Sequence, residues 1–199
     1  YHCNCILKSN GLPTTNDYLY LPNEGWLLDK HPNEGEKVIV KLNYETSSIG
    51  LTSDNIFVYD CTKDSFIKNL ASQFNQSVIV ESFIEGFEVE VPVIIGTETE
   101  VVLPVGITVD NQKDLGNQIL DYNIRRDLKF GFYNFEKAQP EISVKLEECT
   151  KRVVQLLGIT GFGRVDYRID YNNNIYVTDI ATNPHITNCL LYTSDAADE

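Results

Sequence analysis

Arg164, Asp166, Asp179 and Asn183 fall within one stretch, residues 161–184, GFGRVDYRIDYNNNIYVTDIATNP. Its pattern reads as two β-strands joined by a tight turn. Strand side chains alternate faces with a period of two, so Arg164 and Asp166 point the same way. Asp179 and Ala181 share a face on the return strand, and Asn183 joins them if the chain stays extended. The run Asn172-Asn173-Asn174 is turn chemistry, because Asn tolerates positive φ. Pairing the strands can bring Asp166 and Asp179 onto one face. Two carboxylates there repel unless a cation sits between them, and hard oxygen donors of that kind suit Mg²⁺. The alternative is a surface hairpin with solvated acids.

A second candidate is Lys41, which interrupts the apolar run 38–42, a pattern expected of a buried strand. An unpaired buried ammonium is costly, so this Lys needs a reason. A bound phosphate is one; an end-of-strand Lys reaching solvent is the other. The loop 43–50 follows, with Ser47, Ser48 and Gly50. Its hydroxyls and backbone N–H groups suit phosphate oxygens, although the Gly-Lys-Ser/Thr of a Walker loop is missing.

The remaining pattern predicts the elements that must carry these groups. A short helix ends at Gly11, and Trp26 with Leu27 and Leu28 forms a packing anchor. A helix over 62–74 takes Thr62 as N-cap and presents Phe66, Ile67, Leu70 and Phe74 on one face. Strands over 78–84, 87–95 and 98–109 form an antiparallel set, with Glu88 and Glu90 on one face of the second and Val89, Val91 and Val93 on the other. Residues 110–139 read as a long polar and aromatic loop, either a binding lid or a surface excursion. A helix over 141–157, closed by Gly158, packs on the sheet.

Composition bounds the function. The chain has 199 residues, 42% hydrophobic and 23% charged, enough for one large or two small domains. A net charge of −13 argues against nucleic-acid or anionic-membrane partners, and no apolar run is long enough to span a bilayer. Five cysteines at irregular spacing make a secreted disulfide framework the poorer reading, so reduced cytosolic thiols are expected. His2, Cys3 and Cys5 lack the second ligand pair that zinc requires. With no Met and an opening on Tyr1, the chain is expected to be a piece of a longer protein. Residues 189–199 resemble translated adaptor sequence. They are expected to be a non-native tail that packs poorly.

Five motifs now stand in series: Lys41 with Ser47-Ser48 and Gly50; Glu81-Ser82-Phe83-Ile84-Glu85-Gly86-Phe87-Glu88; Leu103-Pro104; Gly163-Arg164-Val165-Asp166; and Asp179 followed by Thr182 and Pro184. Together they resemble an ATP-grasp ligase, most nearly the D-alanine–D-alanine ligase branch, over roughly residues 5–188. The resemblance implies an α+β fold of two subdomains clasping ATP between antiparallel sheets. It divides the chain into a lid subdomain over 1–84 and a catalytic subdomain over 85–188. It also implies an amino-terminal domain and a preceding Lys before Tyr1, and a closing helical segment after Asn188.

By the same resemblance, Lys41 holds the ATP phosphates, and Ser47 and Ser48 lie in the loop that closes over them. Ser82 and Ile84 offer backbone groups to the adenine beside Glu81 and Phe83, and Glu88 takes the ribose hydroxyls. Asp166 and Asp179 bind Mg²⁺ (or Mn²⁺). Arg164 stabilises the oxyanion of a tetrahedral intermediate, and Arg125 stands where a lid Lys meets the transferred phosphate. The implied activity is amino-acid ligation through an acyl phosphate for peptidoglycan-precursor synthesis, in a cytoplasmic enzyme whose full-length parent is a homodimer. This sequence departs from the pattern at several places. Asp179 replaces a Glu, Ala181 a metal-binding Asn, His185 and Thr46 a Gly each, Leu42 a Pro, and Arg126 a lid aromatic. Asn183, two positions beyond Ala181, is the candidate to replace the lost ligand. Arg126 leaves another amino-acid acceptor as the alternative, and a non-catalytic nucleotide-binding fragment is the third reading.

Overall fold

The computed structural model describes residues 1–45, 48–127 and 129–184. Ser47, Thr46, His185 and the 189–199 tail lie outside them. The chain divides into two compact units. The first comprises residues 1–6, 15–84 and 117–130; the second comprises 7–14, 85–116 and 131 onward. The sequence division at 84/85 coincides with one passage between them. Two segments differ from it: 7–14 goes with the second unit and 117–130 with the first.

Helix α1 (His2–Ser9) ends as the pattern predicts. Gly11 has φ +68, Gly11 N–H donates to Lys8 O, and Leu12 N–H reaches back to Leu7 O at 3.0 Å. This is the double bond of a Schellman cap.

In the first unit, β1 (Asp17–Leu21), β2 (Gly25–Trp26), β3 (Lys37–Leu42), β4 (Ile56–Val58) and β5 (Val78–Ser82) form a sheet in the order β2-β1-β5-β3-β4. Val38, Val40, Val78 and Val80 face a core completed by Ile67, Leu70 and Ala71 of α2 (Asp64–Phe74). Asp60, not Thr62, caps this helix end: its carboxylate accepts Thr62 N–H at 2.8 Å, because a turn of 3₁₀ helix over Cys61–Lys63 precedes α2. Trp26 packs edge-on to Tyr20 and Tyr59 and donates Nε1–H to Asp64. Leu28 is not part of that anchor; it is 75% exposed, with φ +56.

The second unit holds β6 (Phe87–Ile95), β7 (Thr99–Val101), β8 (Val105–Val109), β9 (Phe130–Asn134), β10 (Gly161–Ile169) and β11 (Ile175–Ala181). The order is β11-β10-β6-β8-β9, with β7 beside β6. The expected antiparallel set over 78–109 is therefore split between two sheets. Periodicity marks strands without saying which sheet they join. Nor is 98–109 one strand: it breaks at Val102–Pro104, where Val102 N–H turns back to Pro92 O and Pro104 has no N–H to offer the ladder. The expected loop 110–139 contains α3 (Tyr122–Arg126), β9 and α4 (Phe135–Ala138), the helices capped by Asp121 and Asn134. Each of these elements is too short to show a period.

Helix α5 (Pro140–Leu157) closes the core of this unit, starting on Pro140 and ending on Gly158 at φ +66. Leu146, Cys149 and Val153 pack with Val89, Val91, Val93, Val165, Tyr167 and Ile169. These odd-numbered strand residues face α5, so the even-numbered Glu88, Glu90, Arg164, Asp166 and Arg168 occupy the opposite face. A slip of one residue would drive those charges into the core, and this fixes the register.

Gly86 lets the chain enter β6. It has φ +132, and a Cβ there would lie 2.1 Å from Ile169 O. Gly86→Ala is therefore expected to destabilise the protein by more than about 2 kcal/mol. Urea unfolding followed by circular dichroism checks this; an unchanged midpoint would contradict the close approach.

Candidate functional site

The charged face of the second sheet is built by register. Along β10, Arg164 stands opposite Pro92, Asp166 opposite Glu90, and Arg168 opposite Glu88 of β6. On the other side Arg164 stands opposite Ala181 and Asp166 opposite Asp179 of β11. Tyr167 then pairs with Val177, so Thr178 is an extra residue, a bulge. Without it, Val177 and Asp179 would share a face. With it, Val177 enters the core while Asp179 meets Asp166 on the reverse side. The expected pairing of the two aspartates is present, and the bulge is what permits it.

Arg164 forks onto Asp166, with Nε to Oδ1 at 2.6 Å and Nη2 to Oδ2 at 2.7 Å. Its Nη1 lies 3.5 Å from Glu90 Oε2. Asp166 and Glu90 are buried, at 8% and 3% exposure, whereas Asp179 is exposed. Burial works against the Arg164 charge, but Asp166, Glu90 and Asp179 together hold its pKa above the ordinary range. Asp166 is pushed up to about 6: burial outweighs the attraction of Arg164, and Asp179 and Glu88 add repulsion.

One guanidinium thus faces three carboxylates, an excess of two negative charges. That deficit fits a divalent cation, and carboxylates with about four acceptor sites each can serve Arg164 and a metal together. Among the described residues no group of three or more His, Cys, Asp or Glu is arranged to hold a metal. The protein would supply two carboxylates here, which suits Mg²⁺, an ion that keeps several positions for water and phosphate. The extended strand that would carry Asn183 onto this face stops short of it. β11 ends at Ala181, and Asn183 lies exposed in the bend beyond it.

In the first unit, Lys41 meets neither expected fate directly. Its Nζ pairs with Glu81 Oε2 at 2.6 Å. Glu81 is 2% exposed and also accepts from Asn4 Nδ2 at 2.8 Å. The pair is diagonal across β3 and β5, since Glu81 stands opposite Ile39. Ser82 donates Oγ–H to Glu36 and its N–H to Asn16 O, so that N–H is already spent. Phe83 is buried under Lys37 Nζ, 5.5 Å from its ring centre, and Ile84 follows the end of β5. Ser48 has φ +58 and donates its hydroxyl to Leu120 O at 2.9 Å. Arg125 in α3 is half-buried, and its Nε is a buried donor with no hydrogen-bond partner among the described residues. Arg126 is exposed and tied to Asp127 at 2.8 Å. Glu90 and Arg168 join the site although no motif marks them; both sit at even positions on the same face as Glu88 and Asp166, and that period of two is the signal in the sequence that points to them.

A family profile described as "D-ala D-ala ligase C-terminus" matches residues 6–199. The D-alanine–D-alanine ligase of Carboxydothermus hydrogenoformans is 30% identical over 201 residues, covering 96% of this chain and 60% of that protein. Among solved structures, D-alanine–D-alanine ligase from Bacillus anthracis superposes with a TM-score of 0.76 at 21% identity, over 98% of this chain and 60% of that one. The VanG D-Ala:D-Ser ligase from Enterococcus faecalis gives 0.71 at 20%, over 92% and 51%. The chain thus spans about 60% of the C. hydrogenoformans relative, and its fold is the α+β ATP-grasp fold of these ligases.

The raised Asp166 pKa has a signed consequence. The folded value lies above the ordinary carboxylate value of 3.8, so the protonated form favours the fold. That contribution is full below pH 4 and lost as pH rises through 6. A ¹³C-detected titration in metal-free buffer is expected to find Asp166 titrating near pH 6. Asp179→Asn should lower that value; an Asp166 indifferent to Asp179 would show that the two carboxylates do not interact.

Proposed function

The chain belongs to the D-alanine–D-alanine ligase C-terminal family, and on that premise we propose that it is the nucleotide-binding and catalytic part of an ATP- and Mg²⁺-dependent ligase. The reaction joins a carboxylate to an amine. A substrate carboxylate oxygen attacks the γ-phosphorus of ATP and ADP leaves. The amine then adds to the acyl carbon, loses a proton, and expels phosphate to leave the amide.

The observation that carries this reading is Asp166 opposite Asp179, with Arg164 forked onto Asp166. Asp166 and Asp179 would hold Mg²⁺, which when bound shields the phosphate charge. Arg164 is a fixed cation for the oxyanion that forms when the amine adds, and such pre-placed charge is usually the largest catalytic contribution. Lys41, with Ser47 and Ser48, takes the phosphates. Arg125 brings a buried donor, unpartnered among the described residues, suited to the transferred phosphoryl group. Glu88 takes the ribose hydroxyls, and the segment Glu81-Ser82-Phe83-Ile84 borders the adenine. The protein supplies positioning and electrostatics, so no covalent nucleophile is needed. Burial pushes the Cys149 thiol up, away from reactivity.

The substrates are small amino acids and the product a peptidoglycan-precursor dipeptide, made in the cytoplasm by a full-length homodimer. Free cysteines at 3, 5, 61 and 149 accord with a reducing compartment, and no helix among the described residues is long and apolar enough to cross a membrane. Exposed Arg126, in place of the lid aromatic, supports a second reading in which the acceptor is not D-alanine.

In the full-length protein, Asp166→Asn should lower amino-acid-stimulated ADP release by about a hundredfold or more. Lys41→Ala should act mainly by raising KM for ATP. Unchanged turnover in Asp166→Asn contradicts the metal assignment. ATP binding without ADP release under every amino-acid mixture would point instead to a non-catalytic module.

A further inference from the structure

Arg168 is an arginine in the middle of a strand, 5% exposed, standing opposite Glu88 across β10 and β6. Its Nη1 lies 3.5 Å from Glu88 Oε2. Burying a guanidinium costs several kcal/mol unless carboxylates surround it. Here Glu88 is joined by Asp114, Glu85 and the Tyr171 hydroxyl. Tyr171 in turn donates to Asp114 Oδ1 at 3.1 Å, and Tyr176 stands across from Arg168 on β11. Glu88 therefore lies among like charges with Arg168 as the cation facing it across the strands. Without that cation the Glu88 carboxylate would lose its ion-pair partner across the strands. A carboxylate in ion-pair contact at one oxygen still accepts at the other, so this contact is compatible with a hydroxyl ligand.

We propose that Arg168 is a positioning residue for Glu88, holding its carboxylate in the orientation that takes the two ribose hydroxyls of a nucleotide. The inference rests on the assignment of Glu88 above and adds the group that makes it work. Arg168 touches no reacting atom; it acts through Glu88. Discrimination between ribose and a sugar lacking both hydroxyls is thus the property it controls.

The test is calorimetric binding of ATP and of 2′,3′-dideoxyATP, each with Mg²⁺, to the full-length protein and its variants. The native chain should prefer ATP by about tenfold or more, the worth of a charge-assisted hydrogen bond. Arg168→Met should bring that preference to near unity by weakening ATP alone, and Glu88→Gln should do the same. Arg168→Lys keeps the charge on a single-point donor and should lose roughly a third of the logarithm of the preference. If Arg168→Met keeps the full preference while Glu88→Gln loses it, Arg168 is merely structural and the proposal fails, with the Glu88 assignment intact. If Glu88→Gln itself keeps the preference, the assignment and the proposal fall together. Should near-UV circular dichroism show Arg168→Met unfolded, Arg168→Lys decides: a preference equal to that of the native chain overturns the proposal.

Discussion

Thr178 is the residue on which the charged face depends, because the bulge it forms lets β11 serve two faces at once. Val177 fills the core opposite Tyr167, and Asp179 stands opposite Asp166 on the reverse side. In a regular strand those two positions share a face, and one of the two demands would fail. Thr178 also donates its hydroxyl to Asp166 O at 3.2 Å, which ties the bulge to the strand it faces. The packing of α5 against Val165, Tyr167 and Ile169 then holds the register that puts Arg164, Asp166 and Arg168 on the face away from α5. The apolar core and the polar site are two sides of one alternation.

The electrostatics of that face follow a pattern of pairs with one deficit. Arg168 meets Glu88, and Arg164 meets Asp166 and Glu90, with Asp179 close enough to raise both Arg164 and Asp166. A forked arginine would ordinarily depress a carboxylate pKa. At Asp166 burial outweighs the arginine, and Asp179 and Glu88 add repulsion in the same direction. In the first unit the same logic appears in reverse. Lys41 is held by Glu81, whose second oxygen is taken by Asn4, so the lysine is fixed by a carboxylate that is itself fixed. On both sheets the charged groups are kept in place by partners that share the cost of burial.

Much of this was legible in the amino-acid sequence, for identifiable reasons. The hairpin at 161–184, the turn at Asn173 with φ +62, the α5 stripe and the glycine ends of α1 and α5 are local, and local patterns survive into the fold. The Asp166–Asp179 pairing was anticipated by face, but the bulge was not, since nothing in the order Val177-Thr178-Asp179 marks an extra residue. Sheet membership of β5, the break at Pro104 and the elements within 110–139 depend on distant partners. The ends Lys41 and Arg168 find, Glu81 and Glu88, are cross-strand contacts that no single strand displays. Asn183 failed as a strand-face ligand because the strand stops two residues short of it.

We propose that the two opposed aspartates form a divalent-cation site completed by nucleotide phosphate. Paramagnetic relaxation tests it directly: Mn²⁺ added with a non-hydrolysable ATP analogue, read on the backbone amide signals of the chain. Broadening should centre on Asp166 and Asp179 and their neighbours on β10 and β11, and Asp166→Asn should abolish it. Broadening centred elsewhere, or unchanged by that substitution, would contradict it.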